Sequence, residues 1–188
     1  MSQTDVKILG ISGSLRAKSY NTAALKALHE LLPPGVSLTE ADISDIPLYN
    51  EDVREQGWPP AVERLRKQIE QADAIIFSTP EYNYSVPGVL KNAIDWASRP
   101  PQQPFAGKPA AIMGASPGAI GTARAQYHLR QMGVFLDLQF INKPEVMIGA
   151  AAERFDANGK LTHEATREFL KTMVTALVDR VHLLRKGR

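Results

Sequence analysis

The sequence contains no cysteine among its 188 residues, which excludes disulfides, iron–sulfur clusters, thiolate zinc sites and a thiol nucleophile. It has little excess charge of either sign: 22 basic and 20 acidic side chains leave a net charge of +2, with no basic stripe suited to nucleic acid or a membrane surface. No apolar run approaches the roughly 20 residues needed to cross a bilayer. These absences predict a cytoplasmic protein without nucleic-acid or membrane partners.

The histidines do not form a metal-binding pattern either. They lack the H-E-x-x-H spacing of zinc sites, and each falls in or at the start of a predicted helix: His29, His128, His163 and His182. We therefore predict no metal site.

Short apolar runs alternate with helical segments along the whole chain, a pattern typical of a parallel sheet covered on both faces. The predicted fold is a three-layer α/β/α domain that spans residues 1–188 and has a five-stranded parallel sheet. The predicted strands are Val6–Ile11, Val36–Ala41, Ala74–Ser78, Ala110–Gly114 and one near Leu138–Ile148.

Apolar side chains at helical spacing predict the helices between these strands. The first runs over Asn21–Leu32, and the second contains Val62, Leu65 and Ile69. Pro87 suits the first residue of a helix that continues through Ala97, and Thr162 suits the N-cap of the last helix.

A polar loop follows the first strand, with the sequence GISGSLRAKSYN at residues 10–21. Gly13 permits close approach of the backbone, and Arg16 with the neighbouring hydroxyls supplies hydrogen-bond donors just before a helix. These groups suit a phosphate, although a serine-rich turn that merely caps the helix is the alternative. Neither G-x-G-x-x-G nor a Walker A loop can be aligned here, which disfavours nucleoside triphosphate chemistry.

A second loop, TPEYNYSVPG at residues 79–88, follows the third strand and contains two prolines and two tyrosines. Its rigid backbone and flat side chains suit a planar heterocycle that packs on Pro80 or Tyr82. A tyrosine-rich turn that closes a helix N-terminus is the alternative.

A third loop, GASPGAIG at residues 114–121, contains the G-x-S-x-G pattern of serine hydrolases. The residue after Ser116 is Pro117, however, and proline has no backbone N–H to donate to an oxyanion. The remaining triad members would have to be Asp137 or Glu145 with His163. The pattern therefore favours a tight loop that walls a binding cleft.

These three loops meet only under one strand order. In the flavodoxin-like order 2-1-3-4-5, strands 1, 3 and 4 are neighbours, so the loops that follow them converge on one cleft. In the order 3-2-1-4-5-6 they would lie apart. The sequence therefore predicts a flavodoxin-like fold with a mononucleotide site.

At these loops the chain resembles the NAD(P)H-dependent FMN reductase family, in particular its quinone and chromate reductase branch. The sequence GSLRAKSYN at 13–21 looks like the family's phosphate loop, and PLYNED at 47–52 is similar to its second loop. PEYNYSVPGVLKNAIDW at 80–96 looks like the flavin segment, and SPGAIG at 116–121 looks like the third loop. The resemblance covers nearly the whole chain.

The resemblance implies that the chain binds FMN. It assigns the phosphate to Ser14, Arg16, Ser19 and Asn21, and it assigns the isoalloxazine ring and ribityl chain to Pro80, Glu81, Tyr82 and Asn83. Ser116 would lie near the dimethylbenzene side or the phosphate end. Glu81 would either contact the flavin or orient its loop by hydrogen bonding.

The resemblance also implies an oxidoreductase that takes a hydride from NADPH or NADH and reduces quinones, chromate, azo compounds or free flavin by ping-pong transfer. FMN would carry this chemistry, with no obligatory catalytic side chain. The alternative is a flavodoxin-type electron carrier, although such carriers commonly present an acidic face and this chain has a net charge of +2.

Homodimers or homotetramers with flavin sites at the subunit contact are a further implication. Polar and aromatic groups able to bridge subunits are Tyr84, Arg124, Tyr127 and Glu145, although each could equally be a solvated surface residue.

Overall fold

A computed structural model describes residues 5–187. The strands are β1 (Val6–Ser12), β2 (Val36–Ala41), β3 (Ala74–Ser78), β4 (Pro109–Ala115), β5 (Gln139–Phe140) and β6 (Val146–Ile148). They form one sheet in the order β2-β1-β3-β4-β5, with β6 also paired to β4, and every pairing is parallel. The predicted flavodoxin-like order is therefore confirmed.

Helices cover both faces of this sheet. They are α1 (Tyr20–Ala27), α2 (Glu51–Glu55), α3 (Pro60–Gln71), α4 (Gly88–Ala97), α5 (Ala123–Phe135) and α6 (Glu164–Lys186), with short 3₁₀ turns at Leu28–Glu30 and Ala151–Glu153. Parallel strands need crossover connections, and these helices supply them.

Burial of both faces explains why the central strands are almost continuously apolar. In β3, Ile76 packs with the side chains of α1 and α6, whereas its neighbour Phe77 packs with those of α3, α4 and α5. All residues of β3 and β4 are buried. The alternation of side chains along a strand thus serves two separate cores, one on each face.

The last predicted strand is divided in the structure. β5 pairs with the start of β4 at Pro109 and Ala110, whereas β6 pairs with its end at Met113–Ala115. Pro144 lies between the two segments, and proline has no N–H with which to continue a ladder of hydrogen bonds. The prediction of one continuous strand near Leu138–Ile148 was therefore wrong, because this segment forms two strands.

Four helix ends differ by one or more residues from the prediction, and the first is the start of α1, which lies at Tyr20 instead of Asn21. α1 ends at Ala27 and continues as a 3₁₀ turn to Glu30, so it does not reach Leu32. α4 begins at Gly88, with Pro87 as its N-cap. The N-cap of α6 is His163, not Thr162, because the hydroxyl of Thr162 is bonded to the carbonyl of Arg154. The side chain of His163 caps the helix, because its Nδ1 accepts a hydrogen bond from Thr166 N–H.

Arg66 of α3 fastens the chain that follows α4. Its buried guanidinium donates hydrogen bonds of 2.6–2.9 Å to four backbone carbonyls, those of Ala97, Arg99, Pro101 and Gln102. The guanidinium carbon also lies 4.0 Å from the centre of the Trp58 ring. Burial lowers the pKa of Arg66. The charge is thus solvated by peptide dipoles and an aromatic face.

No helix among residues 5–187 is long and apolar enough to cross a membrane. In that same range, no three His, Asp or Glu side chains gather in a geometry able to hold a metal ion.

Candidate functional site

The three polar loops meet at the carboxyl edge of β1, β3 and β4. Backbone hydrogen bonds join them there: Gly13 N–H donates to Ser78 O at 2.8 Å, and Thr79 N–H donates to Met113 O at 2.9 Å. Together they line an open cleft with a cavity volume of about 100 Å³. Its lining residues are Ser14, Arg16, Ser19, Tyr20, Asn21, Pro80, Glu81, Tyr82, Ala115, Ser116 and Pro117. The predicted convergence of the loops is therefore present in the structure.

The first loop presents a cation and a hydroxyl group at the start of α1. Ser19 is the N-cap of this helix, and its Oγ accepts hydrogen bonds from the N–H groups of Asn21 and Thr22 at 3.2 and 3.3 Å. The Oγ of Ser14 accepts from Arg16 N–H at 3.3 Å. The guanidinium of Arg16 is exposed and bonds to no other residue in the range 5–187. An unpaired guanidinium beside a helix N-terminus is well suited to a phosphate.

Asn21 has a different position from the other predicted phosphate ligands. Its buried side-chain amide donates to Ala115 O at 2.9 Å and accepts from Ala115 N–H at 2.8 Å. The hydroxyl of Ser78 also donates to Asn21 O at 2.8 Å. Both ends of the amide are therefore engaged by the third loop, so Asn21 fixes the shape of the cleft and does not point a free side chain into it.

The second loop contains a β-turn, Tyr82–Ser85, with two central residues. Tyr82 and Ser85 exchange backbone hydrogen bonds of 3.0 Å, and the residues between them, Asn83 and Tyr84, have φ values of 50° and 66°. This is the left-handed geometry that asparagine tolerates better than most residues. Asn83 sits at the exposed tip of the turn and does not line the cleft. Its place in the turn accounts for asparagine here without a ligand contact.

Pro80 and Tyr82 provide flat surfaces on the wall of the cleft. Pro80 is buried, whereas the ring of Tyr82 is half exposed. Glu81, between them, turns its carboxylate away towards α5, where it accepts hydrogen bonds from the backbone N–H groups of Arg124 and Ala125. Of the two roles left open for Glu81, the structure therefore favours orientation of the loop.

The third loop is stabilised by its own serine. The Oγ of Ser116 accepts from Gly118 N–H at 3.1 Å, and Pro117 follows it in the chain. His163, the candidate base of a hydrolase, instead contacts Arg154 and Thr166 at the start of α6. The geometry therefore offers no nucleophile–base pair at Ser116.

The cleft also has lining residues that were not among the predicted FMN-binding residues: Tyr20, Ala115 and Pro117. Tyr20 packs against Phe155, with 5.3 Å between the ring centres. Each of the three lies inside a predicted loop and adjoins a predicted ligand residue, so the loops were located correctly although these side chains were not assigned to the ligand.

The charges and shapes in the cleft fit FMN. Among its lining residues Glu81 is the one carboxylate, and the guanidinium of Arg124 lies 2.5 Å from it. The free cation of Arg16 on the first loop suits a phosphate dianion, and Pro80 with Tyr82 on the second loop suits a planar ring.

A family model described as NADPH-dependent FMN reductase matches residues 6–153. The chain belongs to this family. The match contains all three loops and all six strands of the sheet, so the residues that form the cleft are among those that assign the chain to the FMN reductase family.

Individual relatives of this FMN reductase family member agree with the assignment. An NAD(P)H-dependent FMN reductase of Pseudomonas aeruginosa is 64% identical over 181 residues, which are 96% of this chain and 98% of that protein. A quinone reductase of Escherichia coli is 47% identical over 174 residues, covering 91% and 93% of the two chains. Among solved structures, the flavoenzyme NAD(P)H:(acceptor) oxidoreductase FerB of Paracoccus denitrificans has a TM-score of 0.86 at 40% identity, covering 94% and 97%. These relatives do not favour the flavodoxin-type carrier.

Proposed function

We propose that this protein uses bound FMN to reduce quinones with NADPH or NADH. The observation that carries the proposal is the cleft itself, where the unpaired guanidinium of Arg16 and the flat faces of Pro80 and Tyr82 lie on adjoining loops. The names of the relatives support small-molecule acceptors, since the E. coli protein is called a quinone reductase.

When bound, FMN would supply the redox chemistry between a reduced nicotinamide nucleotide and an acceptor. The protein contributes binding and orientation. Arg16 and Ser14 would hold the phosphate, with Ser19 keeping the first turn of α1 in place. Pro80 and Tyr82 would flank the ring system, and the half-exposed Tyr82 leaves that side of the cleft accessible. No side chain has to donate or remove a proton.

An anaerobic absorbance titration of the FMN-loaded protein tests this function. NADPH should bleach the flavin bands, and a quinone added afterwards should restore them, because hydride donor and acceptor use the same site in turn. Bleaching by neither nucleotide would contradict the reductase function and favour the electron carrier. Failure to bind FMN would overturn both.

The range of substrates is a further part of the proposal. The residues of the cleft would contact FMN, whereas its open side would restrict the acceptor little. Chromate, azo compounds and free flavin are therefore candidate acceptors besides quinones. We also propose that the protein works in the cytoplasm, where reduced nicotinamide nucleotides are produced.

We further propose that the protein forms homodimers or homotetramers through the exposed side of α5. Tyr127 on this helix is 55% exposed and Tyr84 in the adjoining turn is 67% exposed, so large aromatic surfaces face solvent. The nearby Arg124 stacks on Tyr84, and a hydrogen bond to Glu145 raises the pKa of Tyr127. Aromatic and arginine side chains of this kind are enriched at protein interfaces.

Light scattering during gel filtration tests this assembly. The parent protein should elute as a dimer or tetramer, and Tyr127→Glu should shift it to a smaller species, because the new carboxylate would lie beside Glu145. Leu183→Glu is the matched control, since Leu183 on α6 is similarly exposed at 61%. A monomeric parent, or equal shifts in both variants, would contradict the proposed interface.

A further inference from the structure

The start of α5 depends on a hydrogen-bond acceptor from another part of the chain. Thr122 is its N-cap residue, yet its side chain makes no cap hydrogen bond and its φ is 70°. The hydroxyl of Thr122 instead accepts from the side-chain amide of Gln126 at 3.2 Å. The first N–H groups of a helix need acceptors, so those of α5 must find one elsewhere.

Glu81 supplies that acceptor from the second loop of the cleft. Its Oε2 accepts from Arg124 N–H at 3.0 Å and from Ala125 N–H at 3.1 Å. These are the helix positions that a capping side chain normally serves. The side chain of Glu81 is only 8% exposed, so this cap is shielded from water.

The side chain of Arg124 closes the contact from the other side. Its Nε donates to Oε1 of Glu81 at 2.6 Å, and its Nη2 lies 2.5 Å from the same oxygen. The guanidinium carbon is 3.5 Å from the centre of the Tyr84 ring. Tyr84 has a left-handed φ, which costs a side chain with a large ring some strain. Arg124 therefore holds both the carboxylate and the turn of the second loop.

These contacts connect two walls of the cleft. α5 begins directly after the third loop, and Glu81 lies between Pro80 and Tyr82 in the second loop. We propose that Glu81 is a positioning residue for the flavin, which fixes Pro80 and Tyr82 against the third loop through α5 without contacting the cofactor. The proposal rests on the FMN site put forward above.

Glu81→Ala and Glu81→Gln separate positioning from direct contact. Alanine removes all three hydrogen bonds to α5, two from backbone N–H groups and one from Arg124 Nε, so the dissociation constant of FMN should rise about tenfold. The visible circular dichroism of the bound flavin should also change, because the ring loses its fixed surroundings. Glutamine retains a neutral oxygen that can accept from the two N–H groups, so it should recover most of the affinity and the spectrum.

Glu153→Ala is the control, since this exposed carboxylate lies in the 3₁₀ turn Ala151–Glu153 and makes no ion pair with another residue in the range 5–187. Its FMN affinity should equal that of the parent. Melting temperatures measured without FMN identify any variant that is simply unfolded. If Glu81→Ala is unfolded, the FMN affinity and flavin spectrum of Glu81→Gln test the proposal.

Parental affinity and spectrum in Glu81→Ala would overturn the proposal. So would a Glu81→Gln variant as weak as alanine with an unchanged flavin spectrum, since that result would indicate a direct role for the charge. If the parent protein itself fails to bind FMN, the proposed function fails instead.

Discussion

We expect Arg16→Ala to lose its FMN on dialysis, with a dissociation constant raised about 10- to 100-fold. A hydrogen bond to a charged group is worth about 1.5–3 kcal/mol, and each 1.4 kcal/mol is a factor of ten in affinity. Arg16 carries an exposed guanidinium that binds no other residue in the described range. Its removal should therefore affect the ligand far more than the fold. Fluorescence quenching of FMN on titration with apoprotein measures the change.

Two neighbouring variants sharpen this test. Lys18→Ala removes another exposed cation from the same loop, but Lys18 does not line the three-loop cleft, so its FMN affinity should change only a few-fold. Arg16→Lys keeps the charge but loses the planar fork of donors, so its affinity should lie between those of alanine and the parent. Equal retention of FMN by Arg16→Ala and the parent would show that the phosphate lies elsewhere.

Asn21→Leu should lower the free energy of unfolding by about 2–4 kcal/mol, because it leaves the N–H and C=O of Ala115 buried without partners. Each kcal/mol corresponds to about 2–4 °C in melting temperature for a chain of this size. The variant should also bind FMN more weakly, since Asn21 ties α1 to the end of β4 where the first and third loops meet. Thermal unfolding followed by circular dichroism measures the loss of stability.

The control for this substitution is Lys26→Leu, which introduces the same side chain at an exposed position of α1. A surface change of this kind is usually worth within about 0.5 kcal/mol. Asn21→Asp adds a second comparison, because a carboxylate still accepts from Ala115 N–H but repels Ala115 O. If Asn21→Leu melted together with Lys26→Leu, the buried amide would contribute little to stability.

The strand order and the cleft could be predicted because they follow from short sequence patterns. Apolar runs locate the strands, the polar loops follow β1, β3 and β4, and parallel strands place such loops at one edge. Eight of the nine predicted site residues line the cleft: Ser14, Arg16, Ser19, Asn21, Pro80, Glu81, Tyr82 and Ser116. Asn83 is the exception, because its place in the turn directs it to the exposed tip.

The roles of individual side chains were harder to predict because their partners are distant in the chain. Asn21 bonds to Ala115, 94 positions away, and Glu81 bonds to Arg124, 43 positions away. No periodicity or spacing in one sequence pairs such residues. The motif therefore indicated which residues belong to the site, but only the packed structure separates those that can reach a ligand from those that hold the loops.

Arg66 joins α3 to the segment that follows α4 by hydrogen bonds whose strength does not vary with pH. Its four acceptors are peptide carbonyls, and peptide groups do not titrate. Burial lowers the pKa of the guanidinium from an initially very high value, yet both the folded and the unfolded chain keep this proton throughout the neutral and acidic range. Acid protonates carboxylates and so weakens ion pairs that contain them. The hydrogen bonds from Arg66 to the segment after α4 involve no carboxylate, so acid should leave them intact.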